Sequence, residues 1–99
     1  MKPADRYAWI VAYMKARSTE HAPCAVDVLN GEFVDSYVDA TGANFLLCFY
    51  GASTCPQLGR DLSAMHKAGL LTRWACGIGD GLCHQGFPRW VYSYKLAQA

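Results

Sequence analysis

Ninety-nine residues, 53% of them hydrophobic and 13% aromatic, suffice for one domain with a modest core and exclude a disordered chain. The net charge of +1 is low for a nucleic-acid binder, but it is unevenly spread. Residues 26–50 carry Asp27, Glu32, Asp35 and Asp39 and no Lys or Arg, so this acidic segment cannot face phosphates, whereas the half holding Arg60, Lys67, Arg73, Arg89 and Lys95 can.

The first helix is expected over residues 4–17. Pro3 and Asp5 suit its first turn, and Lys15 and Arg17 complement the dipole in its last. Trp9, Ile10, Tyr13 and Met14 form its apolar stripe, and Arg6, one turn earlier, is placed to lay its stem along the edge. STEHAPC reads as a loop, and CAVDVL, residues 24–29, as a very short strand. Asn30 then caps a second helix with Glu32 near its positive end. Phe33, Val34, Tyr37 and Val38 are its buried stripe, Asp35 and Asp39 its solvated face, and Thr41-Gly42 its stop.

ANFLLCFYG, residues 43–51, is apolar and bounded by glycine. It reads as a buried extended segment or as a compact turn pinning helix two to helix three, with the extended form favoured. The third helix spans 55–69, with Ser53 and Thr54 as cap candidates, Pro56 in the first turn and Gly69 at the end. Leu58, Leu62 and Met65 supply its buried stripe. Gln57, Arg60, Ala64 and Lys67 share another face, which is polar and basic and contains one small residue. Leu70–Cys76 and Phe87–Leu96 read as two strands joined by the glycine-rich GIGDGLCHQG, with Pro88 favouring an edge or a bulge.

The run LGRDLSAMHKAGLLTR, residues 58–73, and the closing WVYSYKL are similar to the winged helix-turn-helix family. The resemblance rests on a helix ending in Ala68 and Gly69, the pair Leu70-Leu71, and Arg73 on the first wing strand. CPQLGRDL and GFPRWVY also look like stretches of small phage and prophage proteins. The resemblance covers roughly residues 24–96 and implies an α+β winged helix-turn-helix: three helices with a C-terminal β-hairpin wing. Residues 1–99 would form one domain, made of an N-terminal helix and loop (1–23), helix two through the recognition helix (24–69) and the wing (70–96). The connection ANFLLCFYGAST is longer than the tight turn of a helix-turn-helix.

The resemblance implies that helix 55–69 enters the major groove of double-stranded DNA. Gln57 would pair with adenine and Arg60 with guanine, with Ala64 on the same face. Ser53, Thr54 and the helix N-terminus would grip a phosphate, Lys67 and Arg73 would contact phosphates without sequence preference, and His84, Gln85 and Arg89 would reach from the wing. The competing reading pairs Arg60 with Asp61 or a helix-two carboxylate and leaves Gln57 solvated.

Other chemistries are less well served. Cys48 and Cys55, like Cys76 and Cys83, are seven apart, His84 follows Cys83 directly and His21 and Cys24 are three apart, but the tight Cys-x2–4-Cys pair of structural zinc does not occur, so no metal or other cofactor is expected. Cys83-His84 are loop neighbours without an orienting group, and no phosphate-cradling or metalloprotease motif occurs, so the chain does not read as an enzyme. The N-terminal MKPADRYAW lacks a leader's apolar core, no run approaches about 18 apolar residues, and five cysteines make an odd count, so reduced thiols in a cytoplasmic, membrane-free setting are expected. The chain therefore reads as a DNA-binding transcriptional regulator of phage or prophage type, acting as a homodimer. The alternative is a phage-derived module that inhibits a host protein, anti-CRISPR-like or other, through the helix-two acidic face or through Trp90, Tyr92 and Tyr94.

Overall fold

The computed structural model describes residues 1–47, 53–77 and 90–97. Helix α1 spans Pro3–Arg17, α2 Gly31–Thr41 and α3 Pro56–Lys67. Two short strands, β1 (Leu46–Leu47) and β2 (Ser53–Thr54), lie between α2 and α3, and β3 (Leu71–Gly77) and β4 (Trp90–Leu96) close the chain. Three helices followed by a C-terminal antiparallel hairpin make an α+β layout compatible with a winged helix.

Local signals set the helix limits. Pro3 opens α1, where a missing N–H costs nothing. At its end the Ser18 hydroxyl donates to Met14 O at 2.8 Å and accepts from Cys24 N at 2.9 Å, which turns the chain toward α2. The Asn30 side chain accepts from Phe33 N at 3.1 Å and caps α2, and Gly42 ends it in the left-handed region with φ 71. After α3, Gly69 adopts φ 83, Gly69 N donates to His66 O and Leu70 N to Met65 O. These two bonds form a Schellman motif, which turns Leu70 out to solvent and delivers Leu71 to the core. The first wing strand therefore starts at Leu71, one residue later than the sequence suggests.

The expected stripes meet in one core. Ile10, Tyr13 and Met14 of α1, Phe33, Val34 and Tyr37 of α2, and Leu58, Leu62 and Met65 of α3 pack with Val26, Leu71 and Tyr94. Trp9 stacks on Phe33 and meets the Tyr37 ring edge-on. Val26 exchanges two backbone hydrogen bonds with Tyr94, at 2.9 and 2.8 Å, so the segment read as a short strand is a single bridge onto β4. That bridge fastens the wing to the chain between α1 and α2.

The link between α2 and α3 contains paired extended residues. Leu46 pairs with Thr54 and Leu47 with Ser53, so the connection folds back on itself as a short antiparallel ribbon. Extended structure at Leu46–Leu47 agrees with the reading favoured for 43–51, and residues 48–51 lie outside the described residues. Ser53 and Thr54 are thus strand residues that precede the N-cap position of α3. Cys55 takes the N-cap position without a side-chain cap bond, its apolar thiol buried in the core.

Candidate nucleic-acid interface

Helix α3 sorts its side chains by charge. Arg60 and Lys67 are exposed, Gln57 and Ala64 half-buried, and Leu58, Leu62 and Met65 fully inside. The one carboxylate of α3, Asp61, points inward and is only 3% exposed. A carboxylate so far from water needs charge and hydrogen-bond partners. Arg6 of α1 provides both, with Nε donating to Asp61 Oδ2 at 2.8 Å and Nη2 to Oδ1 at 3.0 Å. The Tyr37 hydroxyl of α2 donates a third bond to Oδ2. One carboxylate thereby ties all three helices together and sets the angle at which α3 is presented.

Two pKa values follow from this cluster. The hydrogen bond to Asp61 raises the Arg6 guanidinium above its already high ordinary value. Burial first, and then the hydrogen bond to Asp61, push the Tyr37 phenol well above its ordinary value.

Arg60 has no ion pair among the described residues, so the reading in which Asp61 neutralises it does not hold: Asp61 belongs to Arg6. The expectation for Arg6 also changes, because its charged head and not only its stem is drawn inward. Gln57 sits beside the same guanidinium. With its oxygen turned toward Arg6, the amide accepts from Nε at 3.0 Å and from Nη1 at 3.2 Å. An oxygen used this way is withheld from an adenine N6 donor, so Gln57 supports the Arg6–Asp61 pair and is not free to solvent.

Arg73 lies half-buried on β3, its guanidinium 4.0 Å from the centre of the Tyr92 ring. On the opposite face of the hairpin Lys95 lies 5.9 Å from the Trp74 ring. Strands β3 and β4 hold these two cations and no carboxylate. His84, Gln85 and Arg89 fall outside the described residues. The α2 carboxylates Asp35 and Asp39 are exposed, as expected. Among the described residues no three metal-ligating side chains converge, and no helix is long and apolar enough to cross a membrane.

Two features were not read from the sequence. The Arg6–Asp61–Tyr37 cluster joins residues 55 positions apart. Its signal was present, since Asp61 falls between Leu58 and Leu62 within the apolar stripe of α3, and a carboxylate there implies a buried partner. The second is an apolar groove of about 550 Å³ on the outer side of α1, lined by Ala4, Tyr7, Ala8, Val11, Ala12, Lys15 and the turned-out Leu70. No family model, curated protein or solved structure matches the chain.

Proposed function

We propose that this protein is a cytoplasmic DNA-binding transcriptional regulator of the type carried by phages and prophages, which lays α3 in the major groove of duplex DNA. The observation that carries the reading is the outward face of α3: Arg60 and Lys67 stand exposed, while the helix's carboxylate is consumed inside. Negative charge is thus removed from the side of α3 that would approach phosphates. Arg60 reads a guanine, half-buried Ala64 lets the helix come close, and Lys67 and Arg73 neutralise phosphates. Ser53 and Thr54, in β2 just ahead of the α3 N-terminus, serve as further phosphate contacts, and His84, Gln85 and Arg89 extend the contact from the wing. A homodimer presents two such helices to a two-fold site.

Fluorescence anisotropy with a random duplex and with the DNA upstream of the gene, across a salt series, tests this. Specific binding weakens with salt, and Arg60→Ala costs about 1–3 kcal/mol on the specific site. No duplex binding at low salt ends the proposal.

The apolar groove on α1 favours a second reading, a host protein as partner. In that case a stable complex with one protein forms, Arg60→Ala does not affect it, and charge reversal at the exposed Asp35 and Asp39 weakens it.

A further inference from the structure

The β3–β4 hairpin runs on past the core, and its register divides its side chains cleanly. Leu71 pairs with Leu96, Arg73 with Tyr94, Ala75 with Tyr92 and Gly77 with Trp90, so these eight share one face. At the inner end that face is core, with Leu71 and Tyr94 buried. Further out it becomes an aromatic ladder leaving the protein. Tyr94 and Tyr92 have ring centres 6.3 Å apart, and Tyr92 and Trp90 are 4.8 Å apart and edge-on. Trp90, the last rung, is 50% exposed.

The opposing strand leaves room beside these rings. Ala75 and Gly77 are the residues across from Tyr92 and Trp90, and a Cβ added at Gly77 would meet nothing within 4 Å. Among the described residues the result is an open shelf bordered by an indole ring, a phenol ring and the Arg73 guanidinium plane. An exposed indole of this size is costly to leave in water and is favoured where a flat ligand covers it.

We propose that this shelf is a binding site for single-stranded nucleic acid, with an unpaired base stacking on Trp90 and Arg73 drawing in the adjoining phosphate. The ligand class follows from charge and shape together. Arg73 beside the rings, on a pair of strands that carries no carboxylate, selects an anion, and an exposed ring beside open space selects a planar partner. A duplex offers phosphates but hides its base faces, whereas a single strand offers both. The inference is independent of groove reading by α3.

The opposite face provides a matched control. Trp74 is 42% exposed but faces away from the shelf, across from Ser93. The experiment uses the full chain and a labelled single-stranded DNA of about ten nucleotides, the scale of common single-strand sites, titrated at low and moderate salt. Trp90→Ala is expected to weaken binding about 5- to 150-fold, as loss of one stacked base does, and Trp74→Ala to leave it unchanged, with both variants melting like the parent. Equal binding by Trp90→Ala and the parent, an equal loss in Trp74→Ala, or no single-strand binding at low salt each overturns the inference. So does a shelf that captures a second copy of the chain or another protein, lost in Trp90→Ala, with no affinity for the oligonucleotide. Duplex binding by the same variants is scored separately: if it depends on Arg60 but not on Trp90, the reading of α3 survives whether or not the shelf does.

Discussion

Tyr37→Phe tests whether the buried cluster sets the position of α3. The ring is fully buried and its hydroxyl donates to Asp61, so the substitution removes one oxygen and leaves the packing against Trp9 intact. A hydrogen bond to a charged acceptor contributes about 1.5–3 kcal/mol. Asp61 keeps both bonds from Arg6, which places the expected loss at the lower end, about 1.5–2 kcal/mol. For a domain of this length each kcal/mol moves Tm by about 4–8 °C, so the melt should fall by about 6–16 °C. Urea unfolding followed by far-UV circular dichroism gives the same quantity as a shift in midpoint at constant slope.

The pH dependence supplies a second reading from the same variant. The Tyr37 phenol is raised in the folded state by burial and by its bond to Asp61. Its stabilising contribution is therefore complete below the ordinary tyrosine pKa of about 10, and is lost as pH rises from there toward the folded value, because only the unfolded chain ionises in that window. The parent should lose stability steeply above about pH 10, and Tyr37→Phe less steeply, by up to one proton or about 1.4 kcal/mol per pH unit. Tyr13 and Cys24, both raised first by burial, account for part of the slope that remains. A Tyr37→Phe protein with the parent's midpoint and the parent's alkaline limb would refute the role assigned to this hydroxyl.

Gly69→Ala should destabilise by about 1–2 kcal/mol in chemical denaturation, a cost of the left-handed backbone alone because the space around a Cβ at this position is open. Asn30→Ala should cost about 1 kcal/mol through loss of the bond to Phe33 N, and Asn30→Asp should retain most of it. Arg60→Ala, at an exposed position with no ion pair among the described residues, should leave the urea midpoint within about 0.5 kcal/mol of the parent, so any loss of duplex affinity reports on binding and not on folding.

The limits and faces of the elements were legible in the chain, and the particular residues show why. Pro3, Asn30, Gly42, Pro56 and Gly69 act through backbone geometry and hydrogen bonds within one turn, so they mean the same thing wherever the helices later pack. The stripes of α1, α2 and α3 follow from helical period alone, and all three turned inward. Ser53 and Thr54 read as caps in the sequence because two adjacent cap-forming residues before a helix look alike whether they cap it or pair as a strand. Only the partner strand at Leu46–Leu47 distinguishes the two cases.

The tertiary structure decided which polar groups were available to do anything. Arg6, Gln57 and Asp61 are ordinary surface residue types, and although Asp61 within the apolar stripe of α3 implies a buried partner, nothing within a few positions of it says which residue that is. Packing α1 across α3 brings Arg6 to Asp61, removes that carboxylate from the outer surface and engages Gln57 from the face on which Arg60 stands exposed. The pairing of Gly77 with Trp90 likewise leaves that ring open, whereas a shift of one residue would have sent it to the other side of the hairpin. Local sequence sets which way each segment can turn. The long-range contacts determine which charges and rings are left for a partner, because desolvation and pairing depend on what lies opposite in space, not on what lies next in the chain.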